Sequence, residues 1–235
     1  MIAGEQYHHD HTLFARERND TRVLLWRLKR LAITESNRKH RFLQRKLAAL
    51  EQVTPSMDAI YRLPLLTPAQ CARVVAAADA WAANVGWSRE RHANFPTNDL
   101  QATAIPGLMD WLGPRLADVL LPFVEARFGL DIGGLYLVDL FVVSYEVGGQ
   151  RGLEAHEDSS LLTFSCLLNA ASEFRGGGLY LSAIDQRIAL PPGEAVVHAG
   201  KWLHQGLPIE SGRRVILVGF LGHRSVDHEA FADVD

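Results

Sequence analysis

Apolar positions along this chain follow two periods, and the switch between them divides it. In residues 21–52, Leu24, Leu25, Leu28 and Leu31, then Leu43, Leu47 and Leu50, recur at helical spacing. This segment is predicted helical, with Ser36-Asn37 as a break between two helices. A proline-marked link runs from Thr54-Pro55 to Leu63-Pro64. Thr67-Pro68 then reads as a helix start, Thr67 as N-cap and Pro68 at the first helical position, with the helix continuing through CARVVAAADAWAA. A polar loop, SRERHANFPTNDL, separates it from a further predicted helix, PGLMDWLGPRLADVLLPFVEARFG. From about Leu135 the period shortens. LYLVDLFVVSYE, LLTFSCLLN, GLYLSAI, QRIAL, EAVVHAG and RVILVGFLG are rich in β-branched and aromatic residues and are divided by Gly, Pro and Asn turns. Short strands so spaced predict an all-β sandwich or barrel of the jelly-roll type. With helices first and strands later, the expected class is α+β, helices packed on one side of the β core.

Composition adds bounds. At 235 residues, 48% hydrophobic and 22% charged, the chain can build one sizeable core. The expected partition is an N-terminal extension over residues 1–60 and one domain over 61–235, its β core at about 135–224. The net charge of -3 gives no global argument for nucleic acid. Charge is uneven, however: residues 1–50 carry 11 Lys/Arg against 5 Asp/Glu. Such a basic arm could meet an acidic partner, a nucleic acid or a membrane surface, or form the solvated side of amphipathic helices. Cys71 and Cys166 both lie in apolar runs, which argues for a reducing compartment rather than a disulfide framework. The first residues lack the apolar core of a signal peptide, and no apolar run is long enough to span a bilayer. The expectation is a soluble, cytoplasmic protein of open oligomeric state.

Candidate chemistry centres on His156-Glu157-Asp158. In an extended segment side chains alternate faces, so His156 and Asp158 project together while Glu157 points away. His204 supplies a third candidate ligand from a distant segment. Two imidazoles and one carboxylate on one side of a metal leave other positions open, the arrangement that non-heme Fe(II) uses with oxygen. Each imidazole then needs its second ring nitrogen held by a partner. His198, six residues before His204, is read as a packed or supporting histidine. His8, His9 and His11 look metal-like but sit at a terminus, where an adventitious cluster is the simpler reading. Arg91, His92 and Asn94 lie in the polar loop before the strands, a place where substrate contacts are often found.

These residues come in company: Tyr145 with Gly148-Gly149, then His156-x-Asp158, Leu168-Asn169, Phe174-Arg175-Gly176-Gly177-Gly178, Pro192-Gly193, His204-x-Gly206 and Gly212-Arg213-Arg214. In order and gaps, the stretch from about Leu135 to Arg224 resembles the prolyl 4-hydroxylase subclass of the 2-oxoglutarate/Fe(II)-dependent dioxygenases. The resemblance implies a double-stranded β-helix with Fe(II) bound by His156, Asp158 and His204 at its open end. It implies that 2-oxoglutarate chelates the iron, its distal carboxylate meeting Arg214 and Tyr145. Arginine suits that role because its planar fork pairs bidentately and stays charged. Arg213 is the competing candidate, since strand alternation turns only one of the two inward. Thr163 or Ser165, on one face of the strand after the motif, could bond the cosubstrate. Relatives commonly carry an aromatic residue where this chain has His198.

The implied reaction consumes O2, releases succinate and CO2, and hydroxylates a C–H bond of a peptidyl residue or a small molecule, with ascorbate as a candidate reductant. A carboxylate at 158 favours hydroxylation, since relatives that halogenate lack it. Two other readings stay open: a non-catalytic β-sandwich that binds a ligand or partner, and a cupin-like enzyme using another metal, which would not need Arg214.

Overall fold

The computed structural model describes residues 57–92 and 94–225. The predicted helices at 21–52, the break at Ser36-Asn37, His8, His9, His11 and the basic arm all lie outside the described residues.

The chain enters through a strand where a link was expected. β1 (Tyr61–Pro64) pairs antiparallel with β9 (Glu194–Ala199). Leu63 is buried and Arg62 forks onto Glu194 at 2.7 and 3.0 Å, so alternating sides of this short segment have partners. Pro64 is tolerated because β1 is an edge strand that need not donate on its outer side.

Helix α1 (Pro68–Val85) starts as its sequence predicts. The Thr67 hydroxyl accepts from Gln70 N while the Gln70 side chain accepts from Thr67 N, a reciprocal cap contributing about 1 kcal/mol. Its buried stripe, Cys71, Val74 and Ala78, is small, which lets the helix lie close to the sheet. The second predicted helix is one run in three parts: α2 (Met109–Arg115), a widened turn over Leu116–Leu120, and α3 (Leu121–Phe128). Pro122 has no N–H to offer the preceding turn, which accounts for the widening just before it.

The strands form two antiparallel sheets. The seven-stranded sheet runs β1-β9-β5-β11-β3-β2, with β6 also pairing β11. Here β2 is Asp99–Gln101, β3 Leu135–Glu146, β5 Leu162–Leu167, β6 Phe174–Gly176 and β11 Ile209–His223. The four-stranded sheet runs β4-β10-β7-β8, formed by Leu153–His156, His204–Gly206, Leu179–Leu181 and Gln186–Ile188. The architecture is therefore α+β, with helices and two antiparallel sheets. Two expected boundaries move. The polar loop ends in β2, and β11 begins at Ile209, well before Arg213.

Period-two alternation gives the large sheet two unlike faces. Leu140, Val142, Leu162, Phe164, Cys166, Val197, Val215 and Leu217 pack with the helices in one apolar cluster. Each fully buried Leu there contributes about 1.5–3 kcal/mol, so this side carries most of the fold's stability. Cys71 and Cys166 are buried in it as free thiols. The other face carries Phe141, Val143, Tyr145, Leu167, Ile216 and Val218, interrupted by polar groups. One row across it reads Asp139, Phe220, Thr163, His198.

Candidate metal and cosubstrate site

His204 and His156 face each other across the β4–β10 ladder, their ring centroids 4.3 Å apart. Asp158 reaches them from a turn rather than from an extended strand. β4 ends at His156, and Asp158 N then donates to Gly200 O at 2.9 Å while Ser160 N donates back to Asp158 O at 2.8 Å. The expected alternation thus stops at His156; the turn brings the carboxylate round.

Asp158 Oδ1 lies 3.5 Å from His156 Nε2, and Oδ2 lies 3.3 Å from His204 Nε2. All three ligand atoms fall within 4.8 Å of one another. Atoms each about 2.1 Å from a shared ion, at right angles or slightly wider, would be about 3–3.5 Å apart. Both imidazoles are oriented the same way. Nδ1 of His156 donates to Glu154 O and Nδ1 of His204 to Trp202 O, each at 2.7 Å, which leaves both Nε2 atoms free to ligate. The carboxylate is held as well. Ser160 Oγ donates to Thr163 Oγ1 at 2.9 Å, and Thr163 Oγ1 donates to Asp158 Oδ2 at 2.6 Å.

The donor set, a 2-His-1-carboxylate triad among oriented and mostly buried groups, fits Fe(II). Burial disfavours charge on Asp158, yet hydrogen bonds from His156 and His204 outweigh it and hold the carboxyl well below its ordinary range. Burial likewise disfavours His204's charge, but Asp158 raises its pKa on balance. A metal ion entering here competes with protons for these groups.

Beyond the triad the two adjacent arginines part. Arg213 points outward, with Asp79 accepting from both its terminal nitrogens at 2.9 and 2.6 Å and Ser144 accepting from Nε at 2.9 Å. Arg214 points inward and is buried, and its Nη1 has no hydrogen-bond partner. Its guanidinium carbon lies 5.6 Å from the Tyr145 ring, the residue opposite it on β3. Burial pulls the Arg214 pKa down. Burial pushes that of Tyr145 up and keeps its hydroxyl a donor.

Two glycines locate this pair against the small sheet. A Cβ on Gly206 would lie 3.2 Å from the Tyr145 hydroxyl, and one on Gly177, where φ is +66°, would lie 3.1 Å from Arg214 Cδ. Gly206 is two residues along β10 from His204. His204 and the Tyr145 hydroxyl thus lie along β10, and the Arg214 side chain lies against the glycine turn that follows β6. A buried guanidinium with an unpartnered Nη1 fits a bound carboxylate.

The remaining candidates fall in different places. Thr163 is engaged with Asp158, so its hydroxyl serves the metal site. Ser165 is on the same face one step further along β5, between Val218 and Val196. His198 is buried beside His204, ring centroids 4.9 Å apart. Arg91 bridges Asp99 and Asp139 at 2.6 and 2.7 Å, so its charge is taken up internally. The His92 ring lies 4.6 Å from that of Phe141, and Asn94 is exposed. Gly176, Gly177 and Gly178 all have positive φ, as a tight turn between strands requires.

Two positions next to the candidate site escape sequence reasoning. Phe95, an exposed aromatic, stacks on His156 with centroids 5.0 Å apart. Asn169 brackets Arg214: its Nδ2 donates to Arg213 O and its Oδ1 accepts from Val215 N, each at 2.8 Å. The Leu168-Asn169 pair was visible in the sequence as a motif without a task.

No family-wide sequence profile matches the chain. Curated relatives do. The multifunctional procollagen lysine hydroxylase and glycosyltransferase of Rattus norvegicus is 31% identical over 185 residues, covering 73% of this chain and 24% of that protein. The procollagen lysyl hydroxylase and glycosyltransferase of Acanthamoeba polyphaga mimivirus is 33% identical over 187 residues, covering 72% and 20%. The human procollagen-lysine,2-oxoglutarate 5-dioxygenase 2 is 33% identical over 135 residues, 55% of this chain and 18% of that one. The chain belongs to the 2-oxoglutarate/Fe(II)-dependent oxygenase superfamily. It spans a quarter or less of the length of these relatives. Solved members share its fold. The viral collagen prolyl hydroxylase of Paramecium Bursaria Chlorella virus-1, in complex with 2-oxoglutarate, superposes with a TM-score of 0.53 at 18% identity, over 69% of this chain and 94% of that one. The α-ketoglutarate-dependent epimerase from nogalamycin biosynthesis gives 0.54 at 16%, over 71% and 79%. No described helix is long and apolar enough to cross a membrane.

Proposed function

We propose that the chain is an Fe(II)- and 2-oxoglutarate-dependent hydroxylase acting on a peptidyl residue, prolyl or lysyl, through a catalytic domain at 61–235. In this reading the two sheets close as a double-stranded β-helix around the site. His156, Asp158 and His204 hold the metal. Arg214, with the Tyr145 hydroxyl, receives the distal carboxylate of 2-oxoglutarate. The observation that carries the reading is Arg214 itself. A buried cation short of partners is costly, and Arg214 Nη1 has none among the described residues. An anion supplied from outside offsets that cost.

Iron and 2-oxoglutarate bound there with O2 supply the oxidative chemistry, yielding succinate and CO2 alongside a hydroxylated C–H bond. The protein's part is orientation. The Glu154 and Trp202 carbonyls fix the imidazole tautomers, Ser160 and Thr163 fix the carboxylate, and Asn169 fixes the strand that carries Arg214. A peptidyl substrate is supported by the procollagen-lysine relatives and by the exposed apolar side chains next to the ligands, Phe95 and Leu203. Ascorbate would act as a reductant for the metal.

The test is an anaerobic titration of apo-protein with Fe(II), then 2-oxoglutarate, followed by the visible charge-transfer band of the chelate. The band is expected in the wild type and absent in His156→Ala. Metal-loaded, folded wild type without a band would overturn the reading. Succinate release on adding collagen-like peptides with Gly-X-Lys or Gly-X-Pro repeats then tests the substrate class.

A further inference from the structure

His198 is a second orphan, and the roles assigned above leave it without one. It is fully buried, its Nδ1 donates to Ala199 O at 2.9 Å, and its Nε2 has no hydrogen-bond partner. A neutral imidazole with Nδ1 protonated carries a lone pair on Nε2, so the orphan is an acceptor. Buried acceptors left unmatched are uncommon and call for a partner.

The position of the side chain limits what that partner is. His198 lies opposite Thr163 on the inner face of the large sheet, and its ring meets that of His204 edge-on at 4.9 Å and 64°. Thr163 in turn holds Asp158. His198 is therefore buried beside the triad on the inner face of the large sheet, whereas Phe95 and Leu203 form an exposed apolar rim next to the ligands. A peptide arriving at that rim would meet the triad first. The cosubstrate offers no match either: 2-oxoglutarate at neutral pH is a dianion of acceptors, and O2 has no proton to donate. The small donor that remains is water, and the neighbouring metal site has open positions to hold one.

We propose that His198 is a positioning residue whose Nε2 accepts a hydrogen bond from a water molecule bound to the metal held by His156, Asp158 and His204. The inference rests on reading those three residues as metal ligands. It gives the imidazole a task that an aromatic hydrocarbon in its place could not perform. His198 orients the solvent ligand and keeps the site's geometry defined before the cosubstrate arrives.

Zn(II) serves as the probe, because it is diamagnetic and takes the same ligands. In protein whose histidine nitrogens are labelled for NMR, Zn(II) should shift the Nε2 signals of His156 and His204 as they coordinate. The His198 Nε2 signal should move upfield, in the direction of an accepted hydrogen bond, with its Nδ1 still protonated. A His198 signal that stays put while the other two respond overturns the inference, as does one that becomes protonated or metal-coordinated. Failure of His156 and His204 to respond would sink the metal-site reading and this inference with it.

Affinity gives an independent readout. By chelator competition His198→Phe should bind Zn(II) about tenfold more weakly. His198→Gln, which keeps an acceptor, should stay close to wild type. Equal affinity in all three proteins speaks against the water. Should His198→Phe not fold, the NMR experiment and His198→Gln carry the test.

Discussion

Arg213 and Arg214 are neighbours in sequence, identical in chemistry and opposite in circumstance. Arg213 faces outward and is answered by the protein itself: Asp79 bidentately, Ser144, Glu146 at 3.1 Å, and the Trp87 ring 5.5 Å away. Arg214 faces inward, where the only described contact of its guanidinium carbon is the Tyr145 ring. The pair teaches that a fold completes the charges it needs for itself and leaves incomplete those it needs for something else. The outer arginine holds α1 to the sheet. The inner one is paid for by the rest of the core.

The sharpest way to break this comparison is to remove the inner charge. Arg214→Met should weaken 2-oxoglutarate binding roughly a hundredfold or more, the usual cost of truncating one side of a buried charge pair. It should also raise the melting temperature of the apo-protein, because an unpaired buried cation has gone. Calorimetry on both proteins, with and without cosubstrate, measures the two effects together. A lower apo melting temperature would mean that Arg214 already has its partner.

Acid should separate the inner wall from the outer one. Burial, and then the neighbouring His204, lower the His198 pKa from 6.5 to about 4. Its folded pKa lies below its unfolded one, so its contribution to stability is complete above pH 6.5 and is lost as the pH falls towards 4. The loss amounts to about 3 kcal/mol. In His198→Phe that part of the loss should vanish. His204, shifted the other way, is present in both proteins, and only its coupling to His198 enters the difference. Denaturant melts of the apo-proteins between pH 7 and pH 4 provide the comparison.

Smaller effects sharpen the contrast. Asn169→Ala leaves Arg213 O and Val215 N without their side-chain partner and should cost about 1–3 kcal/mol of stability. Because those groups flank Arg214, 2-oxoglutarate binding should weaken too, while metal affinity holds. Arg213→Ala should cost about 1 kcal/mol or less, since that ion pair is solvent-accessible. Cosubstrate binding should be unchanged. A cosubstrate defect in Arg213→Ala as large as that in Arg214→Met would erase the distinction altogether.

The grouping of His156, Asp158 and His204 was legible because residue type and order survive in sequence even where local geometry does not. Alternation predicted that His156 and Asp158 would meet, and they do, but through a turn closed by Gly200 and Ser160. The strands from Leu135 onward were legible because period two and β-branching agree there. β1 was not, since four residues ending in proline carry too little pattern and depend on a partner 130 residues away. The tautomer-fixing partners were invisible for another reason: they are the backbone carbonyls of Glu154 and Trp202, which every residue possesses. Thr163 was noticed for its face, but its partner Asp158 lies off the strand, beyond the reach of alternation.

The corner between β10 and β11 has one more consequence. His204 and Arg214 lie on consecutive strands of different sheets, joined through Leu207 and Pro208, and that corner is bonded to the glycine turn by Leu207 N to Gly178 O and Gly177 N to Pro208 O, each at 3.0 Å. The separation between His204 and Arg214 is thus set by one short, doubly tethered connection. It acts as a caliper. If Arg214 receives the far carboxylate as proposed, dicarboxylates one methylene shorter or longer than 2-oxoglutarate, with the same charge and chelating group, would miss the jaw, and the site would measure length where charge alone could not discriminate.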